Sequence, residues 1–268
     1  MSNQAVEAFR ALHAPGEMLV LPNAWDAASA RLTQECGAKA VATSSAALAW
    51  ARGYADGEAL PTAVTLAAVA DILRVITLPL SVDSEAGYSD DPATVGDHVA
   101  RLIDLGVAGI NLEDGHASPD LTARKIAAIK ERAVRMGGDL FVNARTDVFL
   151  LSLAEGAAAL EETLARAARY AGAGADGIFV PFVRDAEIIG ALAGSIALPL
   201  NILALKNVPK IAELKRLGVR RVSAGAGPGR AAYGAAQRAT RMLLDEGQYD
   251  AMLESAADCP NFNALFGA

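Results

Sequence analysis

The sequence predicts one α/β domain, a (β/α)8 TIM barrel that spans residues 1–268. Short segments rich in Val, Ile and Leu alternate eight times with longer segments in which apolar residues recur at helical spacing. Eight such units match both the strand number and the chain length of a barrel of this type. The composition does not change along the chain and no linker interrupts it. Both features favour a closed barrel over the alternative, a doubly wound open sheet.

Eight apolar segments are the predicted strands. They are residues 18–24, 38–44, 78–84, 108–114, 140–146, 176–182, 199–205 and 220–226. Asp91 before Pro92 is typical of the start of a helix, and glycines end four helices just before the next strand. These glycines are Gly37, Gly106, Gly174 and Gly218.

Two further helical regions flank the predicted barrel. An extra N-terminal helix in the segment AVEAFRALH is expected to pack beneath the barrel. The C-terminal extension from Tyr249 onward is still apolar. We expect this extension to pack on a neighbouring subunit of a homo-oligomer.

Composition and charge exclude several classes of protein. The formal net charge is -7 and the chain has no Lys/Arg stripe, which disfavours nucleic-acid binding. No apolar run approaches the roughly 18 residues of a membrane span, and the N-terminus lacks the profile of a signal peptide. Cys36 and Cys259 are too few for a disulfide framework and form no metal-ligand pair. We therefore predict a soluble, cytoplasmic protein.

Polar residues interrupt the apolar strands at their C-terminal ends, where barrels of this kind carry their chemistry. Asp83 and Glu85 are spaced i and i+2 at the end of the third predicted strand, so alternation predicts that they share a face. Glu113 follows on the next strand. Burying three acids without a cation is costly, and oxygen ligands favour Mg²⁺ or Mn²⁺. We expect Asp83 to bind the ion directly, with Glu85 and Glu113 holding metal-bound waters.

Arg145 ends the fifth strand and has two interpretations. It either neutralises the three acids or grips a substrate carboxylate or phosphate at two points. Two other acids have structural alternatives: Asp26 is a candidate helix cap, and Asp114 is either a cap or turn residue or a member of the site.

The histidines and a glycine-rich segment give weaker signals. His116 follows Glu113 closely and is a candidate acid or base, whereas His13 and His98 lie in helical stretches and are expected on the surface. The segment SAGAGPGRAAYG, residues 223–234, is typical either of a phosphate-binding loop or of a tight turn, and the turn is favoured.

Five segments in their order along the chain resemble the isocitrate lyase/phosphoenolpyruvate mutase superfamily, including 2-methylisocitrate lyase-like and carboxyvinyl-carboxyphosphonate phosphorylmutase-like members. They are LPNAWDAASARL, ATSSAALAWARGYADG, VDSEAGY, GINLEDG and VNARTDVF. The resemblance implies a (β/α)8 barrel, possessing a last helix that is exchanged between subunits of a tetramer or dimer. It also implies that Asp83, Glu85 and Glu113 bind magnesium.

The resemblance further implies roles for residues around the metal site. The backbone of Ser44, Ser45 and Ala46 corresponds to the segment that binds the substrate carboxylate or phosphonate. Arg145 corresponds to a substrate-binding arginine that acts in catalysis. Asp56 matches an acid near the metal, and Asn201 resembles an asparagine that contacts substrate in the lyase branch.

The implied activity is magnesium-dependent cleavage of a C–C bond in a small 2-hydroxy or 2-oxo dicarboxylic acid, through a pyruvate-like enolate. Alternatives are C–P bond chemistry on phosphonopyruvate, oxaloacetate decarboxylation, and a non-catalytic ligand-binding barrel. The chain departs from the family pattern after the fourth strand, in its segment EDGHASPDLTARK. The lyase branch has a loop there whose cysteine acts as an acid, and the mutase and hydrolase branches have a lid that carries a lysine. Both are missing from this segment. Glu85 also replaces the usual second aspartate.

Overall fold

A computed structural model describes residues 3–245, 247 and 249–267 and confirms the predicted barrel. Nine parallel segments are hydrogen-bonded in the order β1-β9-β8-β7-β6-β5-β4-β3-β2. The first predicted strand is split at Pro22 into β1 (Leu19–Leu21), which pairs with β9, and β2 (Asn23–Ala24), which pairs with β3. Proline cannot donate to a strand ladder, which accounts for the interruption. The split strand therefore brings the two ends of the sheet together, and the eight predicted strands are all present.

The other strands lie close to the predicted segments. They are β3 (Val41–Thr43), β4 (Leu80–Asp83), β5 (Gly109–Glu113), β6 (Phe141–Arg145), β7 (Gly177–Val180), β8 (Leu200–Leu203) and β9 (Arg221–Ser223). The helices within the described ranges are α1 (Gln4–Ala11), α2 (Ala27–Glu35), α3 (Ser45–Trp50), α4 (Thr62–Val75), α5 (Pro92–Leu105), α6 (Pro119–Arg135), α7 (Gly156–Gly172), α8 (Ala186–Ser195), α9 (Ile211–Arg216), α10 (Gly227–Asp245), α11 (Asp250–Glu254) and α12 (Phe262–Phe266).

The helix boundaries follow the predicted signals. Asp91 accepts hydrogen bonds from the backbone of Ala93 and Thr94 at the start of α5, and Asp26 forms a capping box with Ser29 at the start of α2. The four predicted helix-ending glycines all have left-handed backbones, with φ between 84° and 102°. Glycine adopts this conformation without a steric penalty, so each helix stops and the chain turns into the next strand.

Helix α1 closes the N-terminal end of the barrel, as predicted. Phe9 is fully buried and packs edge-on against Phe141 of β6, with ring centroids 5.3 Å apart. His13 stacks on the same Phe141 ring at 4.5 Å, and its Nδ1 lies 2.8 Å from the carbonyl oxygen of Phe9. These rings form an aromatic floor beneath the strands.

The prediction that His13 and His98 lie on the surface is wrong. His13 is 4% exposed because the floor of the barrel covers it. His98 is 8% exposed because it lies on the inward face of α5, where Tyr88 packs edge-on against its ring at 5.2 Å. His13 lies in the turn after α1 and His98 lies on α5, and the apolar spacing of these segments did not show which side faces the core.

The C-terminal helices pack loosely on this chain. Of the 19 residues of α10, only Gly229 is buried, and α11 and α12 contain no buried residue. Leu244 on α10 is 75% exposed. In the part of the chain that the structure describes, no helix has the length and apolar character needed to cross a membrane.

Candidate active site

The end of β4 presents Asp83 at the C-terminal rim of the barrel. Its backbone N–H donates to Thr43 Oγ1 at 2.8 Å, and its Oδ2 accepts from the backbone N–H of Ser45 at 3.2 Å. Its other oxygen, Oδ1, is buried and has no hydrogen-bond partner within the described chain. A buried carboxylate oxygen without a donor is costly, so Asp83 holds an open position for a cation or a proton.

Glu85 reaches the rim by a route that strand alternation did not predict. Strand β4 ends at Asp83, and Glu85 lies in the turn beyond it with a left-handed backbone, φ 48°. Its carboxylate accepts from the backbone N–H of Glu58 at 2.5 Å and from the Tyr88 hydroxyl at 2.9 Å. Burial raises the pKa of Glu85, and the charges of Asp83 and Asp56 add to this effect. Asp83 and Glu85 are therefore electrostatic neighbours, but the turn after β4, and not strand alternation, brings Glu85 there.

Glu113 and Arg145 face each other across β5 and β6, where they are register partners. Arg145 Nη1 lies 2.6 Å from Glu113 Oε2. Burial raises the pKa of Glu113; the charge of Arg145 opposes this shift, and that of Asp83 reinforces it. Negative charge is thus concentrated at this rim beyond what one arginine neutralises.

Asp147, two residues past Arg145, occupies the two-point fork of that arginine. Arg145 Nε donates to Asp147 Oδ1 at 2.6 Å, and Nη2 donates to Oδ2 at 3.1 Å. Burial lowers the pKa of Arg145, but the neighbouring Glu113 and Asp147 carboxylates outweigh burial and raise it. Arg145 therefore neutralises acids in this conformation, and only its remaining N–H groups are free for a substrate. Asp147 was not among the predicted site residues, although it directly follows the fifth predicted strand.

Asp114 is a buried structural anchor rather than a helix cap. Its Oδ2 accepts from the Tyr170 hydroxyl at 2.6 Å and from Arg166 Nη1 at 2.9 Å, both on α7. Its Oδ1 accepts from the backbone N–H of Asp147 at 2.9 Å. Helix α6 is instead capped by Ser118. Asp114 thus ties the ends of β5 and β6 to α7 beneath the rim.

The loop after β3 carries the predicted substrate-binding backbone. Ser44 caps α3, with Oγ accepting from the N–H of Ala47 at 3.4 Å, and Ser45 donates its N–H to Asp83. Ala46 is partly exposed in the first turn of α3. The structure therefore brings this loop beside Asp83, and its role in substrate binding stays a prediction. Asp56 is exposed in the longer loop that follows.

Two other predicted site residues lie away from the cluster of acids at the rim. Asn201 is fully buried inside the barrel, where its Oδ1 accepts from Ser223 Oγ at 3.3 Å and its Nδ2 has no partner among the described residues. His116 is exposed in the loop after β5, and within the described residues no hydrogen bond or ion pair joins its side chain to the acids. The structure thus places Asn201 below the rim and His116 at its outer edge.

The glycine-rich segment after β9 forms a turn. Asn23 Oδ1 accepts from the backbone N–H groups of Ala224 and Gly225 at 2.9 and 2.8 Å, and Gly225 has φ 55°. Two amides of the segment are therefore used internally, which favours the tight-turn interpretation over a phosphate-binding loop.

A metal ion fits the rim by one criterion and not by another. Among the described residues, no three His, Cys, Asp or Glu side chains form a ready-made cage. Magnesium, however, takes only one or two direct carboxylates and keeps several waters. The open Oδ1 of Asp83 and the raised pKa values of Glu85 and Glu113 are the features that a divalent cation would relieve. The donor set suits a water-rich site for a hard cation.

Comparison with known proteins decides the family. The family model of phosphoenolpyruvate phosphomutase matches residues 9–244. The chain belongs to this family. Within the wider phosphoenolpyruvate mutase/isocitrate lyase superfamily, it is similar to a crystal structure from Burkholderia cenocepacia J2315 that is provisionally assigned as a phosphonomutase. The two chains are 40% identical, the match covers 89% of this chain and 99% of the other, and the TM-score is 0.85.

Two curated relatives carry the names of C–C bond-breaking enzymes. Oxaloacetate decarboxylase 1 of Pseudomonas putida W619 is 31% identical, over 90% of this chain and 84% of the relative. A protein of Corynebacterium glutamicum, provisionally assigned as 2-methylisocitrate lyase 2, is 33% identical over 72% of this chain and 64% of the relative. Membership of the phosphomutase family thus confirms the resemblance and supports an enzyme, while the named relatives differ in reaction.

Proposed function

We propose that this protein is a magnesium-dependent lyase that cleaves a C–C bond of a small 2-hydroxy or 2-oxo dicarboxylic acid. The single observation that carries the proposal is the buried, unpartnered Oδ1 of Asp83, which lies on the same rim as Glu85 and Glu113. The names of the lyase and decarboxylase relatives support C–C chemistry.

In this proposal Asp83 binds the ion directly, and Glu85 and Glu113 hold its waters. Mn²⁺ is an alternative ion because it accepts the same oxygen ligands. When bound, the ion would offset the negative charge that develops on the substrate as the bond breaks. The Ser44 and Ser45 N–H groups already donate to Ala24 and Asp83, so this loop contributes the Ala46 amide. Together with the remaining N–H groups of Arg145, it orients the substrate, which lowers the entropic cost of reaching the transition state.

Asp56 and His116 are the proposed proton carriers. Both side chains are exposed, Asp56 in the loop between α3 and α4 and His116 in the loop after β5. Asn201 is a weaker candidate for substrate contact, because it is fully buried below the rim. The proposal therefore rests chiefly on Asp83, Glu113 and Arg145.

The test is release of pyruvate or glyoxylate from a panel of such acids, with Mg²⁺ and with EDTA. Asp83→Asn keeps the size of the side chain but removes the charge, and we expect at least a 100-fold loss of kcat/KM. Asp104→Asn is the matched control, because Asp104 is exposed on α5, away from the acids. Turnover that is unaffected by EDTA and by Asp83→Asn would contradict the proposal.

A second candidate is C–P chemistry on phosphonopyruvate, which the provisional phosphonomutase favours. Oxaloacetate decarboxylation is favoured by the Pseudomonas putida relative. Phosphorus NMR of a phosphonopyruvate incubation separates these reactions, because free phosphate or phosphoenolpyruvate forms only if the C–P bond breaks. A non-catalytic barrel would instead bind oxalate with Mg²⁺ and turn over none of the acids.

We also propose that two copies exchange α10, which gives the expected homo-oligomer. The loosely packed α10 supports this, together with two cavities on the neighbouring flank of the barrel. One cavity of about 1060 Å³ includes Val222 and Ile211, and one of about 490 Å³ includes Val20 and Leu32. Light scattering tests the proposal: a monomeric mass at micromolar concentration would contradict it. The cytoplasmic location and the absence of nucleic-acid partners stay predictions.

A further inference from the structure

Three residues with left-handed backbones meet beside the proposed metal site. Glu58, Glu85 and Tyr88 have φ values of 62°, 48° and 61°. Residues other than glycine avoid this region, and each such backbone costs on the order of 1 kcal/mol. Glu58 lies in the loop between α3 and α4, whereas the other two lie in the turn after β4. Two separate segments are therefore strained where they touch.

Hydrogen bonds join the three residues into a closed ring. Glu58 donates its backbone N–H to Glu85 Oε2 at 2.5 Å, and the Tyr88 hydroxyl donates to Glu85 Oε1 at 2.9 Å. The backbone N–H of Tyr88 in turn donates to Glu58 Oε1 at 2.7 Å. We call this set of contacts the Glu58 ring. Both oxygens of Glu85 are fixed by it, and the Glu58 side chain adds a second link between the loop and the turn beside that of the Glu58 N–H.

Core packing does not account for Glu58. The residue is exposed, whereas Glu85 is 4% exposed. Two glutamates held close together also repel each other, so the arrangement has an electrostatic cost in addition to its backbone strain. What the ring does provide is a fixed position for two groups. It orients the Glu85 carboxylate and fixes the loop that carries Asp56, whose charge acts on Glu85.

We infer that Glu58 is a positioning residue, which holds Glu85 and the Asp56 loop in place for metal binding through the Glu58 ring. The inference rests on the proposed function, because it assumes a metal at Asp83, Glu85 and Glu113. Groups that orient metal ligands have a large effect on metal affinity, typically about 10–100-fold when they are removed.

The test compares Glu58→Ala with Glu58→Gln by calorimetric titration of Mn²⁺ alone. Alanine removes the acceptor for the Tyr88 N–H, and we expect about 10-fold weaker Mn²⁺ binding. Glutamine keeps an acceptor oxygen at the same position, so its affinity should stay within about 3-fold of the wild type. Glu161→Ala on the exposed face of α7 makes the same chemical change away from the rim and should have no effect.

Glu58→Gly separates strain from hydrogen bonding. Glycine relieves the left-handed backbone but also lacks the acceptor. We therefore expect a thermal midpoint at or above that of Glu58→Ala, with Mn²⁺ affinity as weak as in that variant. Hydrogen exchange of residues 52–60 should be faster in both variants than in Glu58→Gln.

The outcomes distinguish the two proposals. Equal Mn²⁺ affinity in the wild type, Glu58→Ala and Glu58→Gln overturns the inference and leaves the proposed metal site intact. Faster exchange in Glu58→Ala without a change in affinity means that Glu58 is structural only, which also overturns it. Failure of the wild type to bind Mn²⁺ or Mg²⁺ overturns both the inference and the proposed function.

Discussion

Two arginines point into the barrel, one at the rim and one near the floor, and their surroundings are opposite. Arg145 at the rim contacts Glu113 and Asp147 at distances between 2.6 and 3.1 Å. Arg221 is 1% exposed, and its Nη2 makes one hydrogen bond, 3.1 Å long, to Asn111 Oδ1. Its Nε and Nη1 have no partner among the described residues. One buried cation is surrounded by carboxylates and the other by neutral groups.

The difference shows what burial alone does to a charge. Burial lowers the pKa of Arg221 to about 9, and only the charge of Asp83 opposes this shift. At Arg145 the adjacent carboxylates outweigh burial and raise the pKa. The barrel therefore concentrates acids at its C-terminal rim and leaves an unpaired cation below them. A metal ion at the rim would neutralise the negative charge that Arg145 leaves uncompensated.

Arg145→Met should lower the free energy of unfolding more than the other substitutions considered. Among the described residues, Arg145 is the only cation in an ion pair with Glu113 or Asp147. Removing one partner of a buried ion pair typically costs about 3–5 kcal/mol. We expect a loss near 3 kcal/mol in the free energy of unfolding, because Glu113 can take up a proton. Denaturant unfolding at pH 7 measures it, with exposed Arg184→Met as the control. A loss below about 1 kcal/mol would mean that the acids do not depend on this arginine.

His13 on the floor should make stability depend on pH. Burial, followed by the charge of Arg221, lowers the pKa of His13 to about 3 from 6.5 in the unfolded chain. The unfolded chain therefore binds the proton first, and stability that is present above pH 6.5 is lost as the pH falls toward 3. Between pH 7 and 5 this amounts to about 2 kcal/mol.

The measurement compares the wild type with His13→Phe by denaturant unfolding at pH 7 and pH 5. The variant lacks this titration, so its loss of stability between the two pH values should be smaller by about 2 kcal/mol. Parallel losses in both proteins would show that His13 is protonated in the folded state at pH 5.

Arg221→Met should have the smallest effect, in contrast to Arg145→Met. Asn111 Oδ1 would keep its hydrogen bond from Asn143 Nδ2, which is 2.9 Å long, so the substitution leaves no acceptor without a donor. Removing a poorly paired buried charge is often neutral or stabilising. We expect the free energy of unfolding to stay equal or to rise by about 1 kcal/mol. A loss greater than about 2 kcal/mol would show that the floor needs this cation.

The fold could be predicted from local patterns in the sequence. Apolar segments predicted every strand, and the four helix-ending glycines predicted the turns because the left-handed backbone favours that residue. Strand alternation was the basis for placing Asp83 and Glu85 on one face. It failed at Glu85, since the strand had already ended.

Contacts between segments that are distant in the sequence could not be predicted from local sequence patterns. Arg220 and Arg221 are adjacent, and only the pairing of β9 with β1 and β8 determines which of them points inward. The contact of Glu58 with Glu85 joins two loops, and nothing in either segment encodes it alone. Partner choice depends on the assembled barrel, whereas strand and turn identity depends on a few neighbouring residues.

The pairing of β1 with β9 has a consequence for the timing of folding. Leu19 pairs with Arg221, so barrel closure joins residues about 200 positions apart in the chain. At a synthesis rate of about 5–20 residues per second, β1 waits on the order of 10–40 seconds for its partner on the ribosome. During that interval the first strand presents an unpaired edge, which is a template for aggregation. Production of this protein should therefore benefit from chaperones that bind the nascent N-terminal segment.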